Sequence, residues 1–103
     1  MKSALIALAL LVTPSAFACL GEAQVIAIIQ TTQKSGQSSC KAYINQYLVQ
    51  FYASSAVCPL DISELVNEGV EVGMVNGHDC AMNAGETLNG VVVRNSAGVL
   101  RLE

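Results

Sequence analysis

Residues 40–58, CKAYINQYLVQFYASSAVC, constrain the fold more than any other stretch of this chain. They hold all three tyrosines (Tyr43, Tyr47 and Tyr52), Phe51 from the two phenylalanines, and two of the four cysteines, Cys40 and Cys58, at the ends. Aromatic residues at this density favour an extended backbone. Most of the stretch, roughly residues 40–53, reads as one long β-strand around which the other elements are packed and stapled. Asn45-Gln46 interrupts its apolar alternation and predicts a β-bulge that re-aims the second half of the strand.

The N-terminus reads as a targeting segment. Lys2, the apolar run Ala4 to Val12, Pro14 and the small-x-small pattern Ala16-Phe17-Ala18 together have the form of a cleaved export signal. The run is well short of the ~20 residues a membrane span needs, and no later run approaches that length. Cleavage after Ala18 removes 18 of 103 residues and leaves 85, beginning at Cys19. A lipid-anchored Cys19 is the less favoured reading. Phe17 stands where a lipoprotein signal wants a small residue, and Ala16 where it wants an aliphatic one. The expected location is therefore secreted or periplasmic.

Past Ala18, Lys34, Lys41, Arg94 and Arg101 stand against eight carboxylates, a net charge of −4. An acidic chain without basic clusters repels phosphate backbones, which argues against a nucleic-acid partner. It also lacks the polybasic patch that would hold it on an anionic membrane. Half the residues are apolar and no low-complexity tract occurs, so residues 19–103 read as a single compact domain. A domain of that size has a modest core, and exported ones commonly add disulfides.

Residues 22–32 are expected as a strand with Val25, Ala27, Ile29 and Thr31 on one side and Gln24, Ile26, Ile28 and Gln30 on the other. Both faces are apolar at the centre, which predicts cover on both sides there. Residues 33–39 form a polar turn around Gly36. Asp61 is a candidate N-cap with Glu64 at N3, and Leu60 with Leu65 makes a hydrophobic staple, so a helix is expected near 61–68 with Gly69 closing it. Residues 70–75 alternate as a strand with Val70, Val72 and Met74 inward, and Asn76-Gly77 signals a two-residue hairpin turn. Thr87 to Arg94 and Val99 to Glu103 should form a last hairpin, with Gly90 marking a bulge or a close approach. Five or six short strands with one helix imply an all-β fold, a small curled antiparallel sheet or OB-like, partly closed barrel. In a standard OB-fold the helix falls later in the order, and a β-sandwich fragment is the alternative.

The cysteines carry the most physical expectation. If the first two strands form a hairpin centred near Gly36, Cys40 lies opposite about residue 32. Cys19 then lies at the other end of the hairpin, where the chain runs on to Cys58. The favoured pairing is Cys19–Cys58 with Cys40–Cys80, each closing a loop worth roughly 4 kcal/mol of chain entropy. A Cys/His metal site or redox pair would need C-x-x-C-like spacing, which is absent. Met74, His78, Cys80 and Met82 gather soft ligands near the Asn-Gly turn and raise copper(I) as an alternative. The favoured reading gives them no metal: Met74 in the core, Met82 filling a gap, Cys80 bridged and His78 solvated. For catalysis there is one histidine, no G-x-S-x-G elbow, no H-E-x-x-H helix and no phosphate-cradling glycine motif. His78 and Asp79, adjacent in a strand, would face opposite ways. Tyr43 and Tyr47 fall on one side of the long strand and offer either a binding face or core packing.

A mature N-terminal cysteine followed at once by a strand resembles, over residues 19–32, the layout of netrin-like and metalloproteinase-inhibitor modules. Such a resemblance implies an OB-like barrel that meets its partner through the cysteine-bearing end. Gly21 departs from it, standing where the second of the paired cysteines would be. The expectation is an exported, disulfide-stabilised binding module without enzymatic activity or cofactor, its partner a protein or small molecule. A structural envelope component is a further alternative.

Overall fold

The computed structural model describes residues 20–36 and 38–103. The expected export signal and Cys19 lie outside them. The chain forms β1 (Glu22–Lys34), β2 (Cys40–Ser54), α1 (Ile62–Glu68), β3 (Val70–Val72), β4 (Met74–Val75), β5 (Asp79–Cys80), β6 (Thr87–Arg94) and β7 (Leu100–Leu102). Five strands close a barrel in the order β1-β2-β3-β7-β6, and β4 with β5 makes a separate two-stranded ribbon. Barrel neighbours are antiparallel except β3 and β7, which run parallel through Glu71 and Arg101. The expected OB-like barrel is present, closed rather than partly open, and its helix precedes the third barrel strand. The strand count exceeds expectation because the ribbon is split from the barrel.

The β1–β2 pairing sets where the first cysteine and the bulge lie. Lys34 lies opposite Cys40 and Ala23 opposite Ser54. Cys40 therefore faces residue 34, two places from the expected position. Ile29 pairs with Ile44 but Ala27 pairs with Val49, so Ile28 alone opposes residues 45–48. The bulge expected at Asn45-Gln46 is thus larger than a single residue. The Asn45 Oδ1 accepts the Tyr47 backbone N–H at 2.9 Å, supplying a side-chain partner where the ladder is interrupted. Val25, Ala27 and Ile29 point into the barrel, meeting Ala42, Ile44, Val70, Leu88, Val92 and Leu100.

Helix α1 has only 7 residues, too short to stand on propensity alone. Glu64 Oε2 accepts the Asp61 backbone N–H at 3.1 Å, the N3 half of the expected capping box. Leu60 and Leu65, the expected staple, are both fully buried in the barrel core. Gly69 ends the helix at φ +77°, its N–H donating to the Leu65 carbonyl at 3.0 Å. A Cβ there would stand 2.8 Å from the Tyr43 ring, so glycine is required by contact as well as by conformation.

The single strand expected over residues 70–75 breaks at Gly73. Val70 and Val72 stay in the barrel wall against Ala42 and Cys40, while Met74 and Val75 leave to pair with Cys80 and Asp79. Asn76 and Gly77 both have positive φ, as the hairpin signal requires, and His78 N–H donates to the Val75 carbonyl at 3.2 Å. The connection is nonetheless one residue longer than expected, because Val75 pairs with Asp79 and leaves His78 in the loop. The last hairpin forms as expected, with Asn95 Oδ1 accepting from the N–H groups of Ala97 and Val99. Gly90 is a close approach: a Cβ there would lie 3.0 Å from a Leu102 methyl.

Candidate interaction surface

Cys40 and Cys80 form the expected disulfide, with Cα atoms 5.7 Å apart. It ties the start of β2 to the end of β5 and so fixes the ribbon beside the turn end of the β1–β2 hairpin. Cys58 is disulfide-bonded too, and its expected partner, Cys19, lies outside the described residues. The Glu22 N–H donates to the Cys58 carbonyl at 2.8 Å, which brings the chain entering β1 against Cys58.

The soft-ligand group does not assemble as four free donors. The Cys80 sulfur is spent on Cys40. Met74 and Met82 rest against the core, and His78 is exposed at the ribbon tip. His78 and Asp79 depart from expectation: because His78 sits in the loop rather than in a strand, its Nδ1 comes within 3.3 Å of the Asp79 Oδ1. Both side chains are largely solvated.

The tyrosines also part company. Tyr43 packs over Gly69. The Tyr52 hydroxyl donates to the Leu60 carbonyl, and partial burial, then the nearby Asp61 and Glu64 carboxylates, push its pKa up. Tyr47 is 84% exposed. The shared face expected for Tyr43 and Tyr47 is absent because the bulge breaks the two-residue period between them.

The outer face of the β2-β1-β6 wall is the chemically distinctive surface. Ile26 lies between Phe51 on one side and Asn89 on the other. Gln24 lies between Ala53 and Val91, and Ile28 is flanked by Thr87 and the 45–48 bulge. Leu48 is 49% and Phe51 45% exposed, with Tyr47 beside them. On β2, β1 and β6 those rows hold no formal charge; carboxylates border them at Glu103, whose N–H donates to the Val91 carbonyl at 2.7 Å, and at Glu22, which meets Val93 one row further along. Apolar residues ringed by neutral amides are the make-up of a contact surface centre. The sequence offered half of this signal in the apolar second face of residues 22–32. Which face is left open depends on the placement of α1, which packs against β2 and sends Leu65 into the core.

No helix among the described residues is long and apolar enough to cross a membrane. No family model, curated protein or solved structure matches the chain.

Proposed function

We propose that the chain is an exported, non-enzymatic binding module whose contact surface is the outer wall around Ile26, Ile28, Leu48 and Phe51, with Tyr47 at its edge. The observation that carries this reading is an uncharged, partly exposed apolar face on a chain with eight carboxylates. An acidic domain gains solubility from its charge, and a charge-free aromatic face on it favours contact over solvation. The Asn45-held bulge supports the same reading, since bulges re-aim side chains and both Tyr47 and Leu48 stand exposed on it. Export is supported by the Lys2 to Ala18 pattern and is compatible with the Cys40–Cys80 disulfide, which persists in oxidising compartments. The direct test compares immobilised mature protein with a Leu48→Ser/Phe51→Ser variant of unchanged melting temperature, each exposed to secreted and periplasmic extract. Retention of a component by the first and its loss from the second is expected. Equal retention by both would place binding elsewhere.

A further inference from the structure

We infer that Asn76 is a site of spontaneous deamidation through a succinimide, and that the fold withholds the same reaction from Asn89. The chain carries two Asn-Gly dipeptides, Asn76-Gly77 and Asn89-Gly90. In this reaction the backbone nitrogen of the following residue attacks the asparagine Cγ, and glycine, lacking a Cβ, leaves that approach open. As dipeptides the two are equivalent. Both asparagines are also exposed, so exposure does not separate them either.

The backbone separates them. Arg94 N–H donates to the Gly21 carbonyl and Ile29 N–H to the Glu86 carbonyl, each at 2.9 Å, which fixes the bonding phase of the β1–β6 ladder. Counting by twos from either end makes Val25 and Gly90 a pair that exchanges backbone bonds. The Gly90 nitrogen is therefore committed to Val25 within an 8-residue strand, close under Leu102. Gly77 has no such duty. Among the described residues neither its N–H nor the Asn76 carboxamide enters a hydrogen bond. The ribbon that carries this turn has 2 residues in each strand, so the left-handed turn opens by local fraying and brings the Gly77 nitrogen onto Cγ. The Gly77 N–Cγ bond forms as the side-chain nitrogen leaves as ammonia, taking the Gly77 proton with it. Water then opens the ring at either carbonyl, to aspartate or to isoaspartate. Isoaspartate adds a methylene to the main chain of a turn closed by the His78 N–H to Val75 carbonyl bond. Either product adds a carboxylate to the loop that already holds His78 against Asp79.

Ageing the mature, oxidised protein at mildly alkaline pH, followed by peptide mapping and by enzymatic methylation of isoaspartate, tests this. Asn76 should convert, with isoaspartate among its products. Asn89 should keep its amide, or lose it at least about tenfold more slowly, because its reaction waits on opening of the barrel. In the reduced chain unfolded in guanidinium both asparagines should convert at similar rates, which traces the difference to the fold. Equal rates at the two positions in the folded protein would overturn the inference, as would an Asn76 amide retained under conditions that convert it in guanidinium. A gap of the same size in the unfolded chain would overturn the protection assigned to the barrel.

Discussion

Arg94 grips Glu68 through two parallel bonds, Nη1 to Oε1 at 2.8 Å and Nη2 to Oε2 at 2.9 Å. The same guanidinium reaches Glu64 Oε1 at 2.8 Å and the Gly98 carbonyl at 2.7 Å. One side chain at the end of β6 thus fastens both ends of a two-turn helix and the turn between β6 and β7. The Arg94 side chain is only 16% exposed, so the planar fork is held in place rather than waving in solvent. That geometry explains how so short a helix stays docked over the barrel.

The pair should leave a signature in acid. Hydrogen bonding to Arg94, then its charge, holds the Glu68 carboxyl below the usual range despite some burial, and Glu68 raises Arg94 in return. A carboxyl depressed in the folded state stabilises the fold above its unfolded pKa of about 4.3, and that contribution fades as pH falls through the folded value. The melting temperature of wild type should therefore exceed that of Glu68→Gln by a constant margin at neutral pH. Below about pH 4 the margin should shrink toward zero. A margin unchanged down to pH 2 would assign the effect to packing of the side chain instead of its charge.

Glu64 has two tasks, capping Asp61 N–H through Oε2 and meeting Arg94 through Oε1. Loss of a helix cap costs about 0.5–2 kcal/mol. Glu64→Ala should cost more than Asp61→Ala in urea titrations, since it removes both bonds. Combined with Arg94→Met, its cost should be less than additive, because the two residues share an interaction. Strict additivity would mean that the Glu64–Arg94 contact contributes nothing measurable.

Gly69→Ala separates conformation from contact. The positive φ alone costs about 1–3 kcal/mol for a side-chain-bearing residue, and the Tyr43 ring 2.8 Å from the new Cβ adds a clash. In a Tyr43→Ser background the same change should cost distinctly less, though still a positive amount. Equal costs in both backgrounds would show that the ring moves aside freely.

Local signals in the sequence translated well, and long-range ones only in part. The cap at Asp61 and Glu64, the left-handed Gly69 and the positive-φ Asn76-Gly77 turn each depend on a few adjacent residues. The Asn45 bulge was legible as a break in alternation, but its size was not, because that depends on where Ile28 sits in the opposite strand. The break at Gly73 was hidden for the same reason. Val70 to Val75 alternates throughout, and the pairing of Val70–Val72 with β2 and β7, together with the Cys40–Cys80 bond, decides which part stays in the barrel. The outer wall was half-legible: the apolar second face of β1 was plain, but the cover expected over it is incomplete at Ile26 and Ile28, which depends on where α1 packs.

The cysteines give the last prediction. Cys40 stands opposite Lys34 and Val72, at the end of β2 nearest the turn, and Cys80 stands opposite Met74 in the ribbon. Their bond closes 40 residues of sequence separation and cross-links the ribbon to the barrel beyond the backbone connection at Gly73. Removing a native disulfide from a small exported domain costs about 2–5 kcal/mol, a large share of what such a domain has. Cys40→Ala/Cys80→Ala should lower stability by that order and free the ribbon first. Amide exchange should then rise across Met74–Cys80 before it rises in Val25–Ile29. Peptide mapping without reduction should also recover a 19–58 fragment, as the Glu22 to Cys58 hydrogen bond at the start of β1 favours. Recovery of Cys19 joined to lipid, or to anything but Cys58, would overturn that second pairing. Uniform exchange across ribbon and barrel in the double variant would show that the two unfold as one unit without the bond.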